Sequence, residues 1–171
     1  SSDFIYATVD TKCAKFLQEC IGARPFGMGE AFCAIADDAN AIVANPAGLN
    51  YIVYPEFTAM YPKGLMDSFY NFAGFLYPMK KGTVEISALM FDGGDIEINY
   101  LDGRTQTFKL ERDWILSAGY GSNIGERLFY GSNFKIVSSQ LAEQYNAFGF
   151  ATDFGLLMRD IYNKLSFGIS M

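Results

Sequence analysis

Beyond Tyr51 the chain reads as a series of segments in which bulky apolar residues alternate with small or polar ones. Leu128, Tyr130, Ser132, Phe134 and Ile136 share one face, and Gly131, Asn133, Lys135 and Ser139 the other. The next segment repeats the arrangement, with Phe148, Phe150, Phe154, Leu156 and Met158 opposite Gly149, Ala151, Asp153, Gly155 and Arg159. Phe167, Ile169 and Met171 continue it against Ser166, Gly168 and Ser170. A period of two belongs to strands, whose successive side chains point to opposite faces. The segments and the turn signals between them predict an all-β, antiparallel fold of about eight strands.

The connections alternate in character. Met79-Lys80-Lys81-Gly82, Asn123-Ile124-Gly125-Glu126 and Asp160-Ile161-Tyr162-Asn163 are compact, whereas the polar stretches near Asp67, from Asp92 to Arg104 and from Ala142 to Asn146 are longer. Short turns at one end and longer loops at the other describe an up-and-down meander.

Ahead of the strands, Asp10 can cap a helix that brings Cys13, Ala14, Leu17, Cys20 and Ile21 to one face and stops at Gly22. Residues 1–22 are read as a helical, plug-like segment, and residues 23–171 as the strand region. From Arg24 to Ala36, small apolar residues with Gly27 and Gly29 predict a glycine-bearing strand. Asp37 or Asp38 then caps a brief helical turn to about Ala44, and Asn45-Pro46-Ala47-Gly48 reverses the chain.

The composition of the two strand faces selects the architecture. A soluble sandwich turns its bulky face inward and dresses the other with Lys, Glu and Thr. Here the face opposite the bulky residues is Gly, Ser, Asn and Asp, which suits a water-filled lumen, and the bulky face then suits lipid. Apolar residues make up 50% of the chain, yet Gly, Ser, Asn or a charge interrupts every run before a transmembrane helix could form. An antiparallel transmembrane β-barrel is therefore expected. Tyr54, Tyr61, Tyr70, Tyr77, Tyr100, Trp114 and Tyr120 fall near strand ends, where amphipathic rings form interfacial girdles.

The remaining chemistry narrows the function by exclusion. A net charge of −6 without a basic stripe disfavours nucleic acid. No histidine is present to serve as a general base or metal ligand. Cys13, Cys20 and Cys33 are odd in number and crowd the first fifth of the chain, so they spell no disulfide framework. Cys20 follows Glu19 with no preceding apolar segment, which argues against lipidation. Gly119 to Gly125 has one residue too many for a dinucleotide loop and reads as a hairpin turn. Asp92-Gly93-Gly94-Asp95 lacks the ligand count of a calcium loop and reads as an exposed turn. Asp37 and Asp38 are explained as a helix cap and a solvated neighbour. No enzyme activity and no cofactor is expected.

One longer pattern points to a family. Gly22-Ala23-Arg24-Pro25-Phe26-Gly27-Met28-Gly29-Glu30-Ala31-Phe32, then Ala36-Asp37-Asp38-Ala39-Asn40-Ala41, then Asn45-Pro46-Ala47-Gly48-Leu49 resembles, in order and spacing, the opening of the PorV/PorQ and FadL-like outer-membrane barrels. Leu165 to Ser170 is similar to a strand of that family following a tight turn, so the resemblance runs from Gly22 to the end. Family members commonly carry Gly or another small residue where Glu30 stands. The family barrel also has about fourteen strands, so this chain is expected to supply the N-terminal part of a larger barrel.

The resemblance implies a bacterial outer-membrane protein surrounded by membrane lipids. In FadL-like barrels an N-terminal segment occupies the lumen and a break in a strand opens a lateral path. Residues 1–22 would then be the plug, and Asn45, Pro46, Ala47, Gly48 and Leu49 would help shape the gate for long-chain fatty acids or other hydrophobic small molecules. In the PorV/PorQ branch the barrel would instead dock secretion-machinery proteins. Gly27, Gly29 and Glu30 mark the first-strand motif in either case. A soluble β-sandwich or β-clam with an amphipathic N-terminal helix is the remaining alternative, and it predicts folding without detergent.

Overall fold

The period-two segments fold as the long strands of a single antiparallel sheet. The computed structural model describes residues 22–64, 68–99, 105–109, 111–141, 145–162 and 165–171; the expected helix before Gly22 lies outside them. The described residues contain nine strands: β1 Glu56–Met60, β2 Phe69–Met79, β3 Gly82–Asp92, β4 Asp95–Asn99, β5 Thr105–Lys109, β6 Glu111–Ile124, β7 Leu128–Leu141, β8 Tyr145–Met158 and β9 Phe167–Ser170. Seven form one sheet in the order β1-β2-β3-β6-β7-β8-β9, and β4 pairs with β5 as a separate hairpin. Asp92 to Arg104, expected as a loop, thus contains β4, because Asp95 to Asn99 register against Thr105 to Lys109. Every pairing is antiparallel.

Tight turns close β2 onto β3 and β6 onto β7 at one end of the sheet, and the connections from β1 to β2 and from β3 to β6 lie at the other; against expectation, β7 and β8 are joined there by only residues 142–144, whereas β8 and β9 are joined at the tight-turn end by the longer stretch 159–166. Gly119 to Ile124, read as a hairpin turn, is strand; the turn itself is Gly125 to Arg127, with Gly125 at φ +69. That left-handed conformation is inexpensive for glycine.

The two faces are sharply unlike. On one, Phe75, Tyr77, Ile86, Trp114, Leu116, Phe134, Phe148, Phe150, Phe154, Leu156, Phe167 and Ile169 are exposed. On the other, Glu85, Ser87, Asn133 and Lys135 are buried together with Phe72, Leu76, Leu89, Ile115, Phe129 and Leu157. The polar face expected to meet water is covered instead, and what covers it is the chain ahead of the strands.

That covering segment departs from the expected strand over 24–36 and from strands beginning at 23. Ala23–Gly27 is a short helix, α1, followed by turns through Ile35, and strands begin only at Glu56. Pro25 suits the first turn of a helix, where its missing N–H is not needed. Gly29 at φ +61 and Glu30 at φ +66 then wind the chain into turns that no strand accommodates. The expected turn near Ala44 is α2, Ala41–Ala44, entered through a loop in which Asp38 Oδ1 accepts from the Asn40 backbone N–H at 2.8 Å. Phe32, Ala36, Ala41, Ile42, Leu49 and Ile52 from this segment pack into one core with Phe72, Leu76, Leu89 and Ile115 of the sheet.

Candidate functional site

The most constrained part of the molecule is the place where Asn45–Leu49 rests on the sheet. Asn45 is extended and caps a 3-10 turn, Pro46–Tyr51, by accepting from the Ala47 N–H at 3.1 Å. Its amide nitrogen donates to the Cys33 carbonyl at 2.9 Å and to the Leu156 carbonyl of β8 at 3.2 Å. The carboxamide is wholly buried and ties together three stretches of chain.

Beneath the turn lies a row of three glycines. Gly121 of β6 registers with Gly131 of β7, which registers with Gly155 of β8. A β-carbon at 121 would lie 2.8 Å from both the Pro46 oxygen and the Leu49 β-carbon. One at 131 would overlap the Pro46 carbonyl and approach the Ala47 nitrogen at 2.7 Å. One at 155 would overlap Asn45 Oδ1 and stand 2.9 Å from Pro46 Cδ. Side chains are missing from this row because backbone occupies their space.

The next row along the same face is polar. Glu85 registers with Gly119, Gly119 with Asn133, and Asn133 with Asp153. Asn133 Nδ2 donates to the Ile42 carbonyl at 2.7 Å, fixing α2 to the sheet. Lys135 and Asp153 form an ion pair at 2.6 Å. Lys135 is almost fully buried, so the pair anchors a charge that has left water.

Charged contacts hold the edges of the segment. Arg24 bridges Asp37 and Asp38 at 2.6 and 2.7 Å, and this gives both carboxylates a role beyond helix capping. Arg159, just past β8, donates to the Ile35 carbonyl at 2.6 Å and stacks over the Tyr51 ring at 3.8 Å. Burial pushes the Tyr51 phenol up from its ordinary range, and the Arg159 charge acts in the opposite direction. Ser170 of β9 donates to the Ala44 carbonyl at 3.0 Å.

The structure brings Asn45, Pro46, Ala47, Gly48 and Leu49 together, all buried on the sheet. It does not bring Gly27, Gly29 and Glu30 to that site; they lie exposed on the outer turn of the segment. The glycine row, Glu85 and the Lys135–Asp153 pair were not singled out from the sequence as a site. The small-residue face of each strand was visible there, but only pairing register aligns Gly121, Gly131 and Gly155. Asp92, the first residue of the supposed calcium-like turn, instead faces Arg112 at 3.2 Å and Lys109 at 3.7 Å.

Asn45→Ala is expected to lower stability by about 2–3 kcal/mol, because the Ala47 N–H and two carbonyls lose buried partners together. Asn45→Asp is expected to be no better, since it turns a donor into an acceptor facing two carbonyls. Urea unfolding of the three proteins under identical solution conditions measures both effects.

Comparison of the chain with protein-family models, with curated proteins and with solved structures gives no match.

Proposed function

We propose that the chain forms a sector of an antiparallel transmembrane β-barrel in the bacterial outer membrane, and that it serves as a conduit for long-chain fatty acids or other hydrophobic molecules. The observation that carries this reading is the inversion of the two sheet faces. Phe148, Phe150, Phe154 and Phe167 are each more than half exposed, while Glu85, Asn133 and Lys135 are buried. Soluble monomers rarely expose an apolar surface of this extent, whereas hydrocarbon would solvate it.

Dimensions support the same reading. β6, β7 and β8 each have 14 residues. At about 3.3 Å per residue and a tilt near 40°, such a strand traverses roughly 35 Å, more than the apolar band of an outer-membrane barrel. Tyr61 and Trp114 are exposed near the end that carries the β4–β5 hairpin, and Tyr54 and Tyr77 near the end of the β2–β3 turn, as two girdles require.

Among the described residues the main sheet is open, with β1 and β9 as its edges. Seven strands in an up-and-down meander leave both edges running in the same direction, so they cannot meet as antiparallel neighbours. Closure into an antiparallel barrel needs an odd number of further strands, and seven more would give the fourteen of the family the sequence resembles. An unpaired edge in hydrocarbon leaves backbone groups unsatisfied, which makes such closure a requirement of the membrane reading.

Residues 22–52 would then occupy the lumen, with Asn45–Leu49 as the inner wall of the gate. A second reading is favoured by how firmly that segment is held: Asn45, Asn133, Arg159 and Ser170 all bond its backbone to itself or to the sheet. A lumen plugged so tightly suits a docking subunit for secretion-machinery proteins.

The membrane reading is tested by whether the protein acquires β-rich circular dichroism only in detergent or lipid and runs as a heat-modifiable band on a denaturing gel. Folding in plain buffer would overturn it. Long-chain fatty-acid uptake in deletion and complemented cells, measured beside crosslinking, separates the two uses: normal uptake with a stable secretion complex would remove the conduit reading.

A further inference from the structure

The row Glu85–Gly119–Asn133 holds a chemical mismatch. Glu85 is 1% exposed, and among the described residues neither of its carboxylate oxygens has a partner in good hydrogen-bond geometry. Asn133 is 2% exposed, and its Oδ1 is likewise without a donor. Because Asn133 Nδ2 is committed to the Ile42 carbonyl, the amide cannot turn over to present a donor instead. Both side chains lean over Gly119: a β-carbon there would overlap Asn133 Oδ1 and sit 3.0 Å from Glu85 Cγ. Two acceptor groups therefore converge over Gly119, and nothing donates to Asn133 Oδ1.

The surroundings do not relieve this. The Ser87 hydroxyl and the Lys135 ammonium lie near Glu85 and favour its ionised form, but less strongly than burial opposes it. Lys135 is already engaged by Asp153 at 2.6 Å, and Asp153 adds a second negative charge. The cross-strand neighbours of Glu85 are Leu76 and Gly119, and α2 above the sheet is Ala-Ile-Val-Ala, so none of these offers a compensating charge. Leaving a buried carboxylate ionised and unpaired is far costlier than leaving it neutral.

We infer that Glu85 and Asn133 share one proton, Glu85 Oε–H donating to Asn133 Oδ1, and that the grip of residues 40–49 on the sheet is linked to that proton. A single hydrogen neutralises the carboxyl, gives Asn133 Oδ1 its donor and leaves Lys135–Asp153 as a balanced pair. Removing it places an unpaired negative charge directly beneath α2, and the arrangement that lets water reach that charge is the one in which the segment lifts. The closed seat is thus present at low pH and weakens as rising pH ionises Glu85. This inference rests on the packing of the segment against the sheet, and it stands or falls separately from where the protein resides.

Hydrogen exchange of the Ala47 and Gly48 amides tests it, followed from pH 5 to 9 in the medium in which the protein folds and corrected for intrinsic exchange. Protection in the wild type is expected to fall by about tenfold per pH unit from the ordinary carboxylate range, where Glu85 ionises once the segment lifts, up to the higher pH at which it ionises beneath the seated segment, and to level off above that, as a one-proton linkage requires. In Glu85→Gln the amide supplies a permanent donor to Asn133, so protection is expected to be independent of pH. A flat wild-type profile overturns the inference, as does an equal slope in both proteins. If Glu85→Gln does not fold, the wild-type profile alone decides.

Discussion

Gly131→Val is expected to unseat residues 45–49 from the sheet and to cost about 3 kcal/mol or more, the upper end of what overpacking produces. The neighbours of a side chain at 131 are the carbonyl of Pro46 and the nitrogen of Ala47, which are backbone atoms with no rotamer in which to withdraw. Either the turn rises, breaking the Asn45 bonds to Leu156 and Cys33, or β7 bends away from β6 and β8. Gly149→Val is the control. It lies on β8 opposite Val137, and nothing stands within 4 Å of its β-carbon position. Urea midpoints of the two variants, with proteolytic sensitivity of residues 22–52 as a second readout, measure the difference. Equal stability of the two would show that the glycine row is not a seat.

Phe150→Arg separates the membrane reading from the soluble one through opposite signs. Phe150 is 64% exposed on the outward face, stacked beside Phe134 and edge-on to Phe148. In a bilayer, arginine near mid-depth on the lipid face of a barrel costs about 2–4 kcal/mol. In water, the same change at an exposed position lies within about 0.5 kcal/mol and improves solubility. Folding yield into lipid vesicles at graded urea reads the effect. An unchanged midpoint in lipid with better solubility in buffer would remove the membrane proposal.

The strand region was legible because a period of two is a local property. β7 and β8 have the faces that their own residues dictate, and the turns at Lys80 and Gly125 carry their signals within a few positions. Two features were not local. The segment from Arg24 to Ala36 is small and apolar enough to pass for a strand, and only Pro25 together with the left-handed Gly29 and Glu30 forces it into helix and turn. The polar strand face, taken for a water-lined one, could not reveal what covers it. Glu85 looked like any residue of an alternating strand, since its burial comes from α2, more than forty residues earlier in the chain. The Asn45 turn was visible as turn chemistry, but its seat required the register of three strands.

The glycine seat also fixes an order of events. Gly121, Gly131 and Gly155 come from three strands joined by local hairpins, which can pair with their neighbours as soon as each is available. Asn45, by contrast, bonds to Leu156 across 111 positions of chain. Contacts so distant in sequence pay a loop-closure cost before they return anything, and they slow the steps that depend on them. Until β6, β7 and β8 have paired, the surface on which residues 45–49 rest does not exist. A segment that leaves the ribosome before these strands is therefore the part that must wait, and its docking reports that the strands beneath it have found their register.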